Sequence, residues 1–143
     1  MDKFISESYN DTVNFAMDFA KKLPKGTVIA FLGDLGAGKT AFTTGFAKGL
    51  GISQDISSPT FAICNEYSGN GNVLYHFDMY RVDGWDDLYS TGFFDYLDTD
   101  AYICIEWSEN VFGALPDTSI IVEINKLSDN QREIKICNKE EYI

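Results

Sequence analysis

The feature that most restricts the fold of this chain is a glycine-rich segment between a strand pattern and a helix pattern. The segment reads Gly33-Asp34-Leu35-Gly36-Ala37-Gly38-Lys39-Thr40 and matches GxxxxGK[ST] at every fixed position. The apolar run at residues 27–32 before it is typical of a strand buried on both faces, and the helix pattern behind it continues to about Leu50. We therefore expect a phosphate-binding loop between a central strand and a helix.

This segment has the chemistry needed to bind the phosphates of a nucleotide. Its glycines let successive backbone N–H groups turn toward one phosphate, and the helix N-terminus adds partial positive charge. We expect Lys39 to bridge the β- and γ-phosphates and the hydroxyl of Thr40 to bind Mg²⁺. The predicted nucleotide contacts are Gly33, Asp34, Leu35, Gly36, Ala37, Gly38, Lys39, Thr40 and Ala41.

Two carboxylates stand where strand patterns end. Asp78 closes the pattern at residues 73–78, and Glu106 directly follows the buried pattern at 101–105. An acid in this position holds the magnesium ion in phosphate-binding-loop proteins, although either acid could instead be solvated. His76 shares a strand face with Asp78, so either side chain could contact an attacking water, and a structural role for the histidine stays equally open.

The remaining motifs favour ATP hydrolysis over other nucleotide chemistry. The stretch at residues 125–128 resembles a guanine-reading Asn-Lys-x-Asp segment, but Ser128 replaces the required acid. We interpret it as a hairpin turn and expect ATP rather than GTP. Only Arg81 and Arg132 could supply the arginine-rich lid of a small-molecule kinase, so a slow ATPase that changes shape with its nucleotide is favoured.

The rest of the chain predicts alternating strands and helices. We expect a short strand at 4–8, a helix capped by Asn10 or Asp11 and stopped by Pro24, and a helix at 86–97. Further strands are predicted at 61–67, 73–79 and 101–105, with a turn at 69–72 and a closing hairpin of strands 120–124 and 133–136. This pattern predicts one α/β domain over residues 1–143, with a mixed central sheet flanked by helices.

Charge and cysteine content limit the partners and the compartment. The net charge is −11, and residues 49–125 hold 13 acids against one base, Arg81. This balance argues against tight, direct nucleic-acid binding, and it leaves the acidic middle facing solvent or a basic protein. Cys64, Cys104 and Cys137 lie in apolar strand patterns without a CxxC pair, which favours a reducing compartment. No apolar run is long enough for a membrane helix, so we expect a cytoplasmic protein with no membrane partner.

Four motifs together resemble the TsaE (YjeE) family of small bacterial P-loop ATPases needed to form threonylcarbamoyladenosine in tRNA. They are the glycine-rich segment 33–40, Ser58-Pro59-Thr60-Phe61, His76-Phe77-Asp78-Met79-Tyr80-Arg81, and Ile105-Glu106-Trp107-Ser108-Glu109. The resemblance implies a P-loop NTPase-like fold and a switch-like loop at 58–60 near the γ-phosphate. It also implies that Thr60 serves hydrolysis and that Asp78 and Glu106 serve the metal and hydrolysis. One departure is Ser108, where the family often has proline.

The resemblance also implies partner proteins. Family members act with TsaD and TsaB, and the P-loop protein does not itself join threonylcarbamoyl to the tRNA. We therefore expect an ATPase that is slow alone, depends on its partners and uses ATP and Mg²⁺. A small-molecule kinase and a nucleotide-gated binding module without hydrolysis remain alternatives. Whether Trp107 flanks the site or packs in the core stays open at this point.

Overall fold

A seven-stranded mixed sheet forms the frame of the molecule, as a computed structural model describes it for residues 2–33, 38–57 and 63–142. The strands are β1 (Asp2–Ser6), β2 (Val28–Gly33), β3 (Cys64–Gly69), β4 (Asn72–Asp78), β5 (Tyr102–Glu106), β6 (Ile120–Lys126) and β7 (Arg132–Asn138). The helices are α1 (Tyr9–Ala20), α2 (Lys39–Gly49), α3 (Trp85–Ser90), α4 (Phe93–Leu97) and α5 (Lys139–Tyr142), with a 3₁₀ segment at Ser108–Ala114.

The strand order places β2 in the middle of the sheet. The order is β1-β7-β6-β2-β5-β4-β3, in which β2 runs parallel to both β5 and β6, and β4 runs parallel to β5. The outer pairs β1–β7, β6–β7 and β3–β4 are antiparallel. The continuous apolar sequence of β2 suits a strand with neighbours on both edges and covered faces. The predicted mixed sheet flanked by helices is confirmed.

Different helices cover the two faces of this sheet. On one side, which we call the α1–α2 face, Phe42 and Phe46 of α2 pack with Phe31 of β2 and Tyr102 of β5. On the other, the α3–α4 face, the core contains Leu88 and Phe93 from the two short helices and Val111 from the 3₁₀ segment. The sheet therefore separates two apolar cores.

Helices α1 and α2 lie unusually close together because of two glycines. A methyl group built on Gly45 would stand 2.1 Å from the carbonyl oxygen of Val13, and one on Gly49 would stand 2.4 Å from that of Met17. Both distances are far shorter than any contact a real side chain makes. The backbone of α1 thus packs directly on α2, which fixes the helix that begins at Lys39.

Two details of the predicted helices are wrong. The first helix is capped by Ser8, whose hydroxyl accepts from the backbone N–H of Asp11, and not by Asn10 or Asp11. The predicted helix at 86–97 is two helices, because Gly92 between them adopts a φ of +80°. A left-handed residue cannot continue a right-handed helix, and glycine adopts that conformation at low cost.

The predicted strands and turns are largely confirmed. Asn70 and Gly71 form a two-residue turn with φ values of 52° and 77°, the left-handed pair favoured in tight hairpins. The closing hairpin is β6–β7, and all three cysteines are free and lie in strands. Phe61 and Ala62, predicted to begin a strand, lie outside the described residues. In the part of the chain that the structure describes, no helix combines the length and apolarity of a membrane span.

Candidate nucleotide site at the carboxyl edge of the sheet

Two residues of the glycine-rich segment, Gly33 and Gly38, have a left-handed backbone. Gly33, the last residue of β2, has a φ of +111°, and a methyl group there would stand 2.2 Å from the carbonyl oxygen of Ile124 in β6. Gly38 has a φ of +108° directly before α2. Both positions therefore require glycine for backbone reasons. The predicted contacts Asp34, Leu35, Gly36 and Ala37 lie outside the described residues.

The two long helices differ at their N-termini. Helix α1 is closed by the hydroxyl of Ser8, and Asp11 adds a carboxylate in its first turn. Helix α2 has Gly38 at the same position, with no side-chain cap and no acid in the first turn. The first N–H groups of a helix need acceptors, and α2 lacks the side-chain acceptor that Ser8 supplies to α1, while its N-terminus carries partial positive charge. This end of α2 can bind an anion.

The side chain of Lys39 lies close to Gly33 and to Trp107. Its Nζ lies 3.4 Å from the carbonyl oxygen of Gly33, and it lies 5.8 Å from the ring centroid of Trp107. The side chain thus extends from the start of α2 to the end of β2, while its charge lies against an aromatic face. Because Trp107 directly follows Glu106, the same contact places the lysine beside the end of β5.

The next two residues of α2 lie in its first turn. Thr40 is half-buried, and its carbonyl oxygen accepts from the hydroxyl of Thr44. Ala41 is buried, and the N–H of Phe42 donates to the carbonyl oxygen of Gly38. The backbone of this turn is therefore held in helical geometry directly beside the loop.

Asp78 and Glu106 are neighbours across two parallel strands. They are register partners at the ends of β4 and β5, and the N–H of Met79 donates to the carbonyl oxygen of Glu106. One carboxylate oxygen of Asp78 accepts from the N–H of Tyr80 at 2.9 Å, which orients the group. The two acids that the sequence singles out thus meet at the edge of the sheet where β2 enters the glycine-rich segment.

His76 is fully buried and is hydrogen-bonded to Glu106. Its Nε2 lies 2.6 Å from Oε2 of Glu106, whose side chain is 13% exposed, while Nδ1 has no partner among the described residues. An ionised carboxylate only accepts, so Nε2 carries the hydrogen. The histidine therefore holds the carboxylate from the buried side and does not reach solvent.

The neighbouring thiol takes no part in this chemistry. Burial raises the pKa of the Cys104 thiol, and the nearby charge of Glu106 raises it further. Burial likewise raises the pKa of Cys64 to about 12, with Glu66 adding to the shift. Both thiols are therefore protonated at neutral pH, which fits their interpretation as apolar strand residues.

The candidate metal ligands have the chemistry that Mg²⁺ prefers. Thr40, Asp78 and Glu106 offer hydroxyl and carboxylate oxygens, which are hard donors. No group of three or more His, Cys, Asp and Glu side chains forms a metal cage within residues 2–33, 38–57 and 63–142. Thr60, the remaining predicted catalytic residue, and the rest of Ser58 to Phe61 lie outside the described residues.

Trp107 and Ser108 have roles that the sequence left open or doubtful. Trp107 has a φ of +58° and fits both alternatives, packing in the core and flanking the site. It packs against the core of the α3–α4 face, and its ring lies beside Lys39. Ser108, where proline is common in the family, is fully buried and donates its hydroxyl to the carbonyl oxygen of Phe31 at 2.7 Å. The serine thus joins the turn after β5 to strand β2.

A small cavity that the sequence did not predict adjoins the start of α2. It has a volume of about 210 Å³ and lies between the start of α1, the start of α2 and the β6–β7 turn. Its lining includes Gly38, Ala41, Tyr9 and Arg132. Residues 125–128, which resemble a guanine-reading segment and are interpreted from the sequence as a hairpin turn, lead into the β6–β7 turn. No other pattern in the sequence points to the cavity.

The chain is similar to known proteins over most of its length. A family model described as threonylcarbamoyl adenosine biosynthesis protein TsaE matches residues 6–134. The tRNA threonylcarbamoyladenosine biosynthesis protein TsaE of Treponema pallidum is 36% identical over 133 residues, covering 93% of this chain and 98% of that protein. The Bacillus subtilis protein of the same name is 40% identical over 109 residues, covering 76% and 68%.

The solved structures give the same result for the fold. The crystal structure of YdiB from Bacillus subtilis superposes with a TM-score of 0.75 at 33% identity, covering 94% of this chain and 83% of that one. The arrangement of sheet, glycine-rich loop and helices is therefore P-loop NTPase-like, as the sequence predicted.

Proposed function

Because this chain belongs to the TsaE family, whose members take part in tRNA threonylcarbamoyladenosine biosynthesis, we propose that it binds and hydrolyses ATP to support this modification. One observation carries the proposal: Lys39 bridges an uncapped helix and Gly33 at the sheet edge where Asp78 and Glu106 end their strands. A triphosphate placed there meets backbone N–H donors, a lysine and two carboxylates, which are the groups that phosphoryl transfer needs.

The phosphates are bound by α2 and by the loop before it. Backbone N–H groups at the start of α2 donate to phosphate oxygens in place of the side-chain cap that α1 possesses. Lys39 exchanges its contact with the carbonyl oxygen of Gly33 for the β- and γ-phosphates, and Trp107 limits where its charged group can lie. Thr40, Asp78 and Glu106 would hold Mg²⁺, which neutralises phosphate charge when bound.

Glu106 orients the attacking water, and His76 positions Glu106. The histidine is buried, so it acts through the carboxylate and does not contact the water itself. Its Nε2–H fixes Oε2 of the carboxylate. Thr60 stays a predicted contributor from the loop 58–60.

The adenine end of ATP occupies the cavity beside Gly38 and Ala41. The cavity adjoins the start of α2 through Gly38 and Ala41, and Tyr9 supplies an aromatic side chain in its lining. Ser128 stands where a guanine-reading segment has its acid, which supports ATP over GTP.

The partners are the proteins TsaD and TsaB, and the site of action is the cytoplasm. The acidic residues 49–125 disfavour direct binding to tRNA, so the protein acts on the TsaD–TsaB complex, which engages the RNA. Turnover is slow alone and faster in the complex.

Three variants test the site when ATP binding and phosphate release are measured with and without TsaD and TsaB. Lys39→Ala should weaken ATP binding about 10–100-fold, because a charge-assisted contact to phosphate is lost. Lys48→Ala, an exposed lysine on the same helix, is the matched control and should bind normally. Glu106→Gln should bind ATP and lose activity about 100-fold or more. Equal ATP affinity in wild type and Lys39→Ala would overturn the site.

His76 is tested by a pair of substitutions. His76→Leu should lower kcat about tenfold or more with little change in the KM for ATP, because Glu106 loses its orientation but phosphate contacts remain. His76→Gln restores an N–H donor and should recover part of the loss. A purely structural histidine would instead change folding stability equally in both variants and leave kcat intact.

The same assays separate the alternatives. A phosphorylated metabolite in place of free phosphate would establish a kinase. Multiple rounds of tRNA modification by Glu106→Gln, without hydrolysis, would establish a binding module.

A further inference from the structure

The α3–α4 face carries a cluster of exposed aromatic side chains. Trp85 is 59% exposed and stacks on Phe94 with ring centroids 6.2 Å apart, while Tyr89 is 64% exposed and lies 4.8 Å from the same ring. We call Trp85, Tyr89 and Phe94 the aromatic surface. Other exposed apolar side chains, such as Leu127 and Ile5, lie on different elements. Clustered exposed aromatics in a folded protein mark interaction sites more often than isolated ones.

Other side chains of α3 and α4 form the core contacts of these two helices. In α3, Leu88 is the buried residue, and in α4 it is Phe93. Trp85 and Tyr89 lie on the outer side of α3 and contribute to packing through Phe94, which is only half-buried. A tryptophan and a tyrosine held in place by a third ring lose little conformational entropy on binding, which is why such residues dominate protein interfaces.

Acidic side chains surround the aromatic surface. Asp83, Asp86, Asp87 and Asp95 are all exposed, and within the described ranges no ion pair joins any of them to a basic side chain. Asp87 has a local role, since its carboxylate accepts from the N–H of Asp83. The remaining charges repel one another and repel RNA. They are complementary to a basic protein surface.

The aromatic surface is connected to the nucleotide site through a short segment. Four residues separate Trp85 from Tyr80, whose ring lies 4.8 Å from that of Trp107, and Trp107 faces Lys39. Asn110 donates to the carbonyl oxygens of Met79 and Tyr80 and ties this segment to the 3₁₀ segment. The aromatic surface is therefore linked to Lys39 through Tyr80 and Trp107.

We propose that the aromatic surface, with its acidic rim, is the contact site for a basic patch on the partner protein. The inference rests on the proposed function, in which that partner is the TsaD–TsaB complex. The rings supply the buried centre of the interface, and the aspartates supply long-range attraction and a polar rim.

Affinity for purified TsaD–TsaB, measured by calorimetry with ATP analogue present, tests the proposal. The double variant Trp85→Ala/Tyr89→Ala should bind about tenfold or more weakly, while Leu127→Ala, an exposed apolar residue on the β6–β7 turn, should bind like wild type. Asp86→Asn/Asp95→Asn should bind more weakly at low salt and show a smaller salt dependence. Asp18→Asn/Asp55→Asn removes two exposed charges from other elements and is the matched control.

Hydrogen exchange on the wild-type protein supports the same test without substitution. Amides of residues 84–97 should gain protection in the complex. Equal affinity of Trp85→Ala/Tyr89→Ala and wild type, or unchanged exchange at 84–97, would overturn the inference while the partner assignment stands. Failure of the wild type to bind TsaD–TsaB would overturn the partner assignment and the inference with it. Direct tRNA binding that depends on Trp85 would also overturn the inference.

Discussion

The two faces of the sheet are covered in different ways. On the α1–α2 face, helices of 12 and 11 residues pack backbone against backbone through Gly45 and Gly49. On the α3–α4 face, helices of 6 and 5 residues meet at Gly92, and a kinked 3₁₀ segment follows. Helix α2 buries its aromatic residues Phe42 and Phe46 completely, while α3 leaves Trp85 and Tyr89 exposed.

This difference separates two requirements of a nucleotide-dependent protein. The loop that binds phosphate needs a fixed helix start, and close packing of α1 on α2 supplies it. A partner needs accessible apolar groups, and short helices that bury one or two side chains each supply those. Substitutions on the two faces should therefore have very different effects on stability.

The largest expected effect is that of Phe42→Ala. This ring is fully buried and contacts the rings of Phe31 and Phe19 edge-on at 5.5 and 6.0 Å. Its removal should lower the free energy of unfolding by about 3–5 kcal/mol, because a cavity remains between α2 and the sheet. Urea denaturation measures the change. A loss below about 1 kcal/mol would show that the α1–α2 core is not the tightly packed side of the molecule.

A somewhat smaller loss is expected for Gly45→Ala. The added methyl group meets the carbonyl oxygen of Val13, so α1 and α2 must separate, at a cost of about 1–3 kcal/mol. The matched control is Gly113→Ala in the 3₁₀ segment, where nothing lies within 4 Å of the new methyl group. Thermal unfolding of both variants checks the pair, and equal melting temperatures would contradict the close approach.

Gly92→Ala tests the turn between helices α3 and α4. The φ of +80° disfavours any side chain, so we expect a loss of about 1 kcal/mol in the free energy of unfolding. Gly84→Ala is the control, since Gly84 is extended and has open space around it. If Gly92→Ala were as stable as wild type by urea denaturation, the two helices would not depend on this turn.

The smallest effect is expected for Trp85→Ala. An exposed ring that stacks on a half-buried one should contribute within about 0.5 kcal/mol to the free energy of unfolding. The measurement is the same urea titration used for Phe42→Ala. A loss comparable to that of Phe42→Ala would mean that Trp85 is a core residue, and the contrast between the faces would fail.

Much of the fold could be predicted because strong local patterns carry it. The apolar run of β2, the Asn70–Gly71 turn and the closing hairpin each leave a clear signal in the sequence. The N-cap was assigned wrongly because Ser8, Asn10 and Asp11 are all good capping residues, and pattern alone cannot choose among them. The pairing of β1 with β7 could not be predicted, since it joins the two ends of the sequence.

The candidate site could be predicted in its chemistry more than in its arrangement. Periodicity placed His76 and Asp78 on one face of a strand, and the structure keeps that placement. Periodicity could not show that β4 lies beside β5, and therefore it could not show that His76 contacts Glu106. The cavity beside Gly38 was also beyond sequence reasoning, because its lining comes from three separate segments.

The parallel register of β4 and β5 makes strand length as important as residue identity. Side chains alternate between the two faces of a sheet, so one residue inserted into β5 would turn the carboxylate of Glu106 toward the α3–α4 core. Glu106 would then lose both His76 and the space shared with Asp78, with no catalytic residue changed. Between β4 and β5, a functional relative can therefore gain or lose residues only outside the strands.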